Sequence, residues 1–232
     1  MRTKDSDLVR ALPLFSEVEE QNFDSLMKAA YLQRFPAQMQ LITAGDPPDF
    51  LYIVVEGRVE LFATSGEREA TMGIINPIST FILAATIKDA PLLMSARTLE
   101  PCQLLLIPSE DIRRIFAEDD RFARAIVTEL ATSYRTVVKT LKNMRLRNAV
   151  ERVANYLLQL QAESDCAESF ELPFEKKSLA SFLGMTPENL SRAFGALHSD
   201  GIEVDGKTIR ILDKKALLEF AQPDPLVDDP IC

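Results

Sequence analysis

The sequence has a single histidine, His198, no glycine loop of the kind that cradles a phosphate, and no paired-carboxylate motif. Acid–base or nucleophilic catalysis therefore finds no obvious residues here. Cysteine is scarce too. Cys102, Cys166 and Cys232 are an odd number with more than 60 residues between neighbours, which leaves neither a disulfide framework nor a CxxC metal knuckle. They are read as separate, reduced thiols. No apolar run approaches the roughly 20 residues that span a bilayer, and residues 1–7 lack the apolar stretch of a secretory signal. These absences point to a cytoplasmic protein that is not an enzyme and does not enter a membrane.

What is present is ordinary globular composition, 47% apolar and 26% charged over 232 residues, enough for two domains with separate cores. As a total, the formal charge of −9 speaks against phosphate contacts. Its distribution matters more. Acidic residues crowd the start (Glu17, Glu19, Glu20, Asp24) and the tail (Asp224, Asp228, Asp229), whereas Lys139, Lys142, Arg145, Arg147 and Arg152 gather mid-chain. Nucleic acid remains an admissible partner.

From residue 31 the pattern becomes short β-rich runs, 31–35, 39–43, 51–55, 59–63 and 70–75. They are punctuated by Pro36, Gly45-Asp46-Pro47-Pro48, Glu56-Gly57 and Ser65-Gly66. That spacing predicts a β-sandwich or roll. A helical turn or two around 81–87 and strands over 92–99 and 103–107 complete it, and Ser109 opens helical sequence. A longer helix is expected from Asp119 or Asp120 to about Arg145. Its positions Ala123, Val127, Leu130, Tyr134, Val137, Leu141 and Met144 step by alternating fours and threes, a heptad seam that wants a second helix. Packing on its own β-domain is the bland alternative, but a helix of about 26 residues runs roughly 39 Å, longer than a small domain needs. Val127, Leu130, Tyr134, Val137, Leu141 and Met144 are therefore assigned to a parallel dimer interface. Arg147-Asn148-Ala149 reads as a joint, followed by an amphipathic helix through Val150, Val153, Tyr156 and Leu160. The expected domains are 1–115, a dimerisation helix over 116–147, a second domain over 148–222 and a frayed tail over 223–232.

The most specific stretch is 178–199. Leu179, Ala180 and Leu183 make one short apolar face, Gly184 supplies a left-handed turn, and Thr186 caps a second helix that has Pro187 at its first position. Leu190, Phe194 and Leu197 form that helix's buried side. This is helix-turn-helix architecture. Glu188, Ser191 and Arg192, at i, i+3 and i+4, project from one outer side near the helix N-terminus, where a recognition helix meets base edges. Pro187, Asn189 and Thr186 flank them. Residues 202–211 read as a hairpin with an Asp205-Gly206 type I′ turn, a wing that carries Lys207.

With Leu51-Tyr52-Ile53-Val54-Val55-Glu56-Gly57-Arg58-Val59-Glu60-Leu61 ahead of the long helix and the helix-turn-helix after it, the sequence resembles the Crp/Fnr family of bacterial regulators over nearly its whole length. The resemblance implies an α+β fold with an N-terminal cyclic-nucleotide-type β-roll, a long dimerisation helix and a C-terminal winged helix-turn-helix. It also implies double-stranded DNA, a second copy of the chain and RNA polymerase as partners. The Glu188…Ser191-Arg192 pattern is similar to the Fnr branch, which reads a TTGAT-like half-site. The stretch 187–192 and the wing resemble the Dnr and NnrR regulators of nitric-oxide response and denitrification, so the resemblance implies a role in nitric-oxide response and denitrification or in the response to low oxygen.

In cyclic-AMP-binding members a Gly-Glu and an Arg-Ser/Thr hold ribose and phosphate. Here, with Pro77 and Phe81 in their family positions, Ile82-Leu83 and Leu92-Leu93 stand in those places, so an anionic cyclic phosphate would be desolvated without compensation. Cyclic AMP is not expected. Nor is an Fnr-type iron–sulfur cluster, which takes four cysteines. Phe81, Ile82, Leu83, Leu92 and Leu93 are expected to line an apolar sensor pocket. The Dnr resemblance suggests haem for it, with an axial ligand from Met, Cys102, Tyr or a chain terminus, and the alternative is a packed core without ligand. The competing functional class is a ligand-binding module or enzyme without DNA activity, which would show no sequence preference on DNA.

Overall fold

The structure, a computed structural model, describes residues 3–228, with side chains from Asp7 onward. The chain divides into two units at Ser133 and Tyr134, inside its longest helix. The first unit opens with α1 (Thr3–Arg10) and α2 (Glu20–Ala29). Strands β1 (Tyr31–Phe35), β2 (Gln40–Ile42), β3 (Phe50–Glu56), β4 (Val59–Ser65), β5 (Arg68–Ile75) and β6 (Ser79–Phe81) follow. After α3 (Leu83–Lys88) come β7 (Ser95–Thr98), β8 (Cys102–Pro108), α4 (Ser109–Glu118) and the first turns of α5 (Asp120–Leu146).

The strands form two four-stranded antiparallel sheets, β1-β8-β3-β6 and β2-β7-β4-β5. Strand β3 explains the layering. Side chains alternate across a strand, so its unbroken apolar run is covered on both faces. Leu51 and Ile53 join a core with Leu26, Ile112, Ile115, Phe122 and Ile126 from the helices and Phe15 from the turn between α1 and α2. Tyr52 and Val54 join another with Val59, Leu61, Phe81, Ala96 and Leu104, between the sheets. The strand expected over 92–99 is reduced to β7 at 95–98, and β6 is a short strand that the sequence reading did not anticipate.

Phe122 and Ile126 lie on the face of α5 that flanks the heptad seam and, with Leu130, seat its first turns in the first unit. Asp119 fixes that start. Its carboxylate accepts from the backbone N–H groups of Arg121 (3.0 Å), Phe122 (3.1 Å) and Glu19 (2.9 Å) and from the Asn22 amide (3.1 Å). Burial alone would push this carboxyl up, but the hydrogen bonds from Asn22, Glu19, Phe122 and Arg121 outweigh it and hold the group below its ordinary value. A folded-state value below the unfolded one, near 3.9, stabilises the fold above about pH 4, and that stability is lost as pH falls through the folded value. Asp119→Ala is expected to cost about 2–3 kcal/mol at pH 7, since a cap is lost and buried donors go unmatched. Urea unfolding of both proteins at pH 7 and pH 3 checks this: the gap should narrow at the lower pH.

The second unit holds the rest of α5, α6 (Ala149–Glu163), β9 (Ser169–Glu171), α7 (Lys176–Phe182), α8 (Pro187–Leu197), a 3-10 turn His198–Asp200, β10 (Ile202–Asp205), β11 (Thr208–Ile211) and α9 (Lys214–Ala221). Leu157 and Leu158 of α6 pack with Leu179, Leu190, Leu197, Ile209 and Leu217. Only Arg147 and Asn148 separate α5 from α6. Asn148 begins α6 with a capping box: its side chain accepts from the N–H groups of Val150 and Glu151, and its own N–H donates to the Glu151 carboxylate.

Two expectations are corrected. The tail does not fray through residue 228, because Val227 and Asp228 are buried and Asp228 pairs with Arg147; residues 229–232, Asp229 and Cys232 among them, lie outside the described residues. Cys166 is disulfide-bonded rather than reduced, while Cys102 is a buried free thiol. Among the described residues no helix is long and apolar enough to cross a membrane.

Candidate nucleic-acid interface

The helix-turn-helix forms as its local sequence requires. α7 ends at Phe182, Gly184 takes a φ of 65°, and the Met185 N–H closes on the Ala180 carbonyl at 2.9 Å. The positive φ is what calls for glycine here; a Cβ on Gly184 would stand 2.8 Å from the sulfur at the flexible end of Met144, which can shift. The Thr186 hydroxyl accepts from the Asn189 N–H and Pro187 occupies the first helical position. Leu190, Ala193, Phe194 and Leu197 are buried, which leaves Glu188, Asn189, Ser191 and Arg192 on the exposed side.

Two of the four outward residues are hydrogen-bonded to each other. One Arg192 nitrogen donates to Asn189 Oδ1 at 3.3 Å, so the side chain that braces Arg192 is Asn189 rather than Glu188. The Glu188 carboxylate turns instead to its own backbone N–H and the Thr186 hydroxyl, and these, with the nearby Arg192 charge, hold it below the usual carboxylate range. Glu188 is therefore an anionic acceptor at neutral pH and Arg192 a cationic donor, side by side.

In the wing, Asp205 pairs with Thr208, so the two-residue loop is Gly206-Lys207. Positive φ falls on Gly206 alone, as in a type II′ turn and not the expected type I′. β9 adds a third strand, which the sequence analysis does not assign. Lys207 is exposed but ion-paired with Glu175 at 2.6 Å, a surface contact worth under about 1 kcal/mol that a phosphate can displace. Of the mid-chain cations, Lys142 and Arg147 pair with Asp224 and Asp228. Arg152 donates to the carbonyls of Arg147 (2.8 Å), Leu183 (2.9 Å) and Gly184 (3.4 Å). Sequence reasoning counted it only as charge.

The dimer assignments split. Val127, Tyr134, Val137 and Leu141 are 62%, 70%, 63% and 55% exposed, a large apolar stripe for a helix surface. Leu130 instead packs against the core of the first unit, and Met144 against the Gly184 turn.

The five sensor residues do not form one pocket. Ile82 and Leu92 line a cavity of about 150 Å³ with Leu41, Ile42, Phe50 and Tyr52, under a rim that carries Asp46 and Asp49. Phe81 is buried against Tyr52 (ring centroids 5.1 Å apart) and Leu83 in the helical core, while Leu93 is 88% exposed. The chain bends at Leu93, ahead of β7, and turns that side chain outward where Leu92 goes in. Haem does not fit this cavity. Among the described residues no His, Cys or Met lines it, and it falls below the roughly 300–1,000 Å³ of ordinary ligand pockets. Burial, with the charge of Asp49, raises the Tyr52 phenol, which keeps it protonated. Cys102 is occupied elsewhere, its thiol facing the carbonyls of Arg58 and Glu100.

A β-roll followed by a long helix and a winged helix-turn-helix with a polar outer face defines a two-domain, DNA-binding transcription regulator. Known proteins agree. A cyclic nucleotide-binding domain matches residues 32–119 and a Crp-like helix-turn-helix domain matches residues 151–220. The chain is 25% identical over 224 residues to the CRP-like cAMP-activated global transcriptional regulator of Mycobacterium tuberculosis, covering 94% of this chain and 100% of that one. It is 25% identical over 187 residues to the transcriptional activator protein FnrA of Stutzerimonas stutzeri, 78% of this chain and 76% of that one. The crystal structure of DNR from Pseudomonas aeruginosa superposes with a TM-score of 0.53 at 25% identity, covering 95% of this chain and 99% of that one. The protein is a regulator of the Crp/Fnr family. Its relatives act on transcription and are not enzymes.

Proposed function

We propose that the protein works in the cytoplasm as a homodimer paired along α5, reads a TTGAT-like palindrome and engages RNA polymerase at genes of nitric-oxide response and denitrification. The exposed Glu188, Ser191 and Arg192 on the first turns of α8 carry the reading. Arg192 offers paired donors to guanine O6 and N7, Glu188 accepts from a cytosine N4, Ser191 lies by the neighbouring thymine, and Lys207 with Thr186, Pro187 and Asn189 borders the contact. The apolar stripe Val127, Tyr134, Val137 and Leu141 supports dimerisation. The resemblance of residues 187–192 and the wing to the Dnr and NnrR regulators supports the denitrification setting. Selection of binding sites from a random duplex pool tests the assignment: enrichment of TTGAT half-sites in inverted repeat supports it, and no enrichment refutes it.

The sensor domain is proposed not to respond to cyclic AMP. The cavity beside Ile82 and Leu92 has no cationic side chain in its lining and two carboxylates at its rim, so a cyclic phosphate would meet repulsion in place of charge-assisted hydrogen bonds. At millimolar concentration cyclic AMP should leave the melting temperature unchanged, because ligand stabilisation follows RT ln(1 + [L]/Kd). A rise of several degrees would overturn this reading.

A further inference from the structure

The tail beyond α9 is built as a strap. Gln222 turns the chain with a φ of 42°, and the Val227 and Asp228 N–H groups both close on the Asp224 carbonyl at 2.8 Å. The Asp224 N–H in turn donates to Asp228 Oδ2 at 2.7 Å. The strap ends on the joint between α5 and α6. Asp228 takes both terminal nitrogens of Arg147, at 2.8 and 2.5 Å, and the two side chains are only 3% and 11% exposed. A second, half-buried pair, Asp224 with Lys142 at 3.0 Å, holds the last turns of α5. The same Arg147 presents its backbone carbonyl to Arg152, whose guanidinium also holds the Leu183 and Gly184 carbonyls in the turn ahead of α8. Fixing Arg147 at the joint thus fixes one anchor of the side chain that orients the recognition helix.

We propose that Asp228 is a positioning residue for DNA binding: acting through Arg147 and Arg152, it sets the angle at which α8 is presented relative to the end of α5. The strap touches no DNA. Its effect rests on the dimeric reading, since two recognition helices must meet half-sites one helical turn apart, about 34–36 Å, and a loosened joint relaxes that spacing.

The test uses the full chain and the duplexes that the wild-type protein selects from a random pool, so it does not depend on the TTGAT assignment. Asp228→Asn keeps the shape and removes the charge, leaving a buried guanidinium without its counter-ion. Affinity for the selected duplex should fall about tenfold, with the salt slope unchanged because no phosphate contact is lost. Discrimination against duplexes with half-sites one base pair closer or further apart should shrink. A purely structural role would weaken all duplexes in proportion and leave that discrimination intact, which would overturn the proposal. The double reversal Arg147→Asp with Asp228→Arg should restore the spacing preference. Without DNA, amide exchange should quicken over 147–152 and 183–185 in Asp228→Asn and stay unchanged in the wing strands. If Asp228→Asn fails to fold, Asp224→Asn carries the same readouts at smaller amplitude. If the wild type selects single half-sites, the dimeric reading falls and the exchange measurement alone decides the strap. Wild-type spacing preference together with wild-type exchange in the variant removes the proposal.

Discussion

Leu141→Glu, alone or with Val137→Glu, should turn the protein into a monomer and weaken binding to a palindromic site by about a hundredfold or more, because a carboxylate at a helix–helix seam loses its water without gaining a partner. Both side chains are more than half exposed in the single chain, so neither substitution disturbs a core that the chain builds by itself. Sedimentation velocity over a range of concentrations, with circular dichroism as a control for folding, checks the result. A full dimer in the double variant would rule α5 out as the interface. Leu130→Glu makes an instructive contrast. It stands on the same heptad seam, but Leu130 packs against the core of the first unit, so its replacement should lower the melting temperature before it affects association.

Arg192→Ala should cost about 1–3 kcal/mol on the preferred site and relax the choice of base at the guanine, as expected when a bidentate contact to O6 and N7 is removed. Asn189, which steadies the guanidinium at 3.3 Å, should matter less: Asn189→Ala leaves the donors in place and loosens only their aim. Lys207→Ala should weaken all sequences alike and lower the salt slope by about one, because a wing lysine released from Glu175 meets phosphate and not a base edge. Competition binding with each base substituted at the guanine separates the cases. Equal weakening on every sequence by Arg192→Ala would make it a phosphate contact and move base readout to another residue.

Hydrophobic periodicity and caps were enough, in the sequence alone, for the β-roll strands, the long helix and the helix-turn-helix. These signals are local: an apolar run bounded by Gly and Pro, a step of fours and threes, a Thr-Pro helix start. The exposed face of α8 followed from the same logic, since naming the buried Leu190, Phe194 and Leu197 also names the outer side. The N-terminal helices and β6 gave weaker signals, being short and carried by tertiary packing.

Polar partnerships across the chain were decided only by the tertiary structure. Asp119 reaches Glu19 and Asn22, about 100 residues away, Arg152 reaches the Leu183 turn, and Asp228 reaches Arg147. A carboxylate or guanidinium has no periodicity that marks its partner. Mid-chain cations that in the sequence looked available to DNA are therefore partly committed to the tail and to the turn. The expected sensor pocket came apart for a related reason. Adjacent apolar residues such as Leu92 and Leu93 look alike in sequence, and only the course of the backbone decides which one enters the core and which faces water.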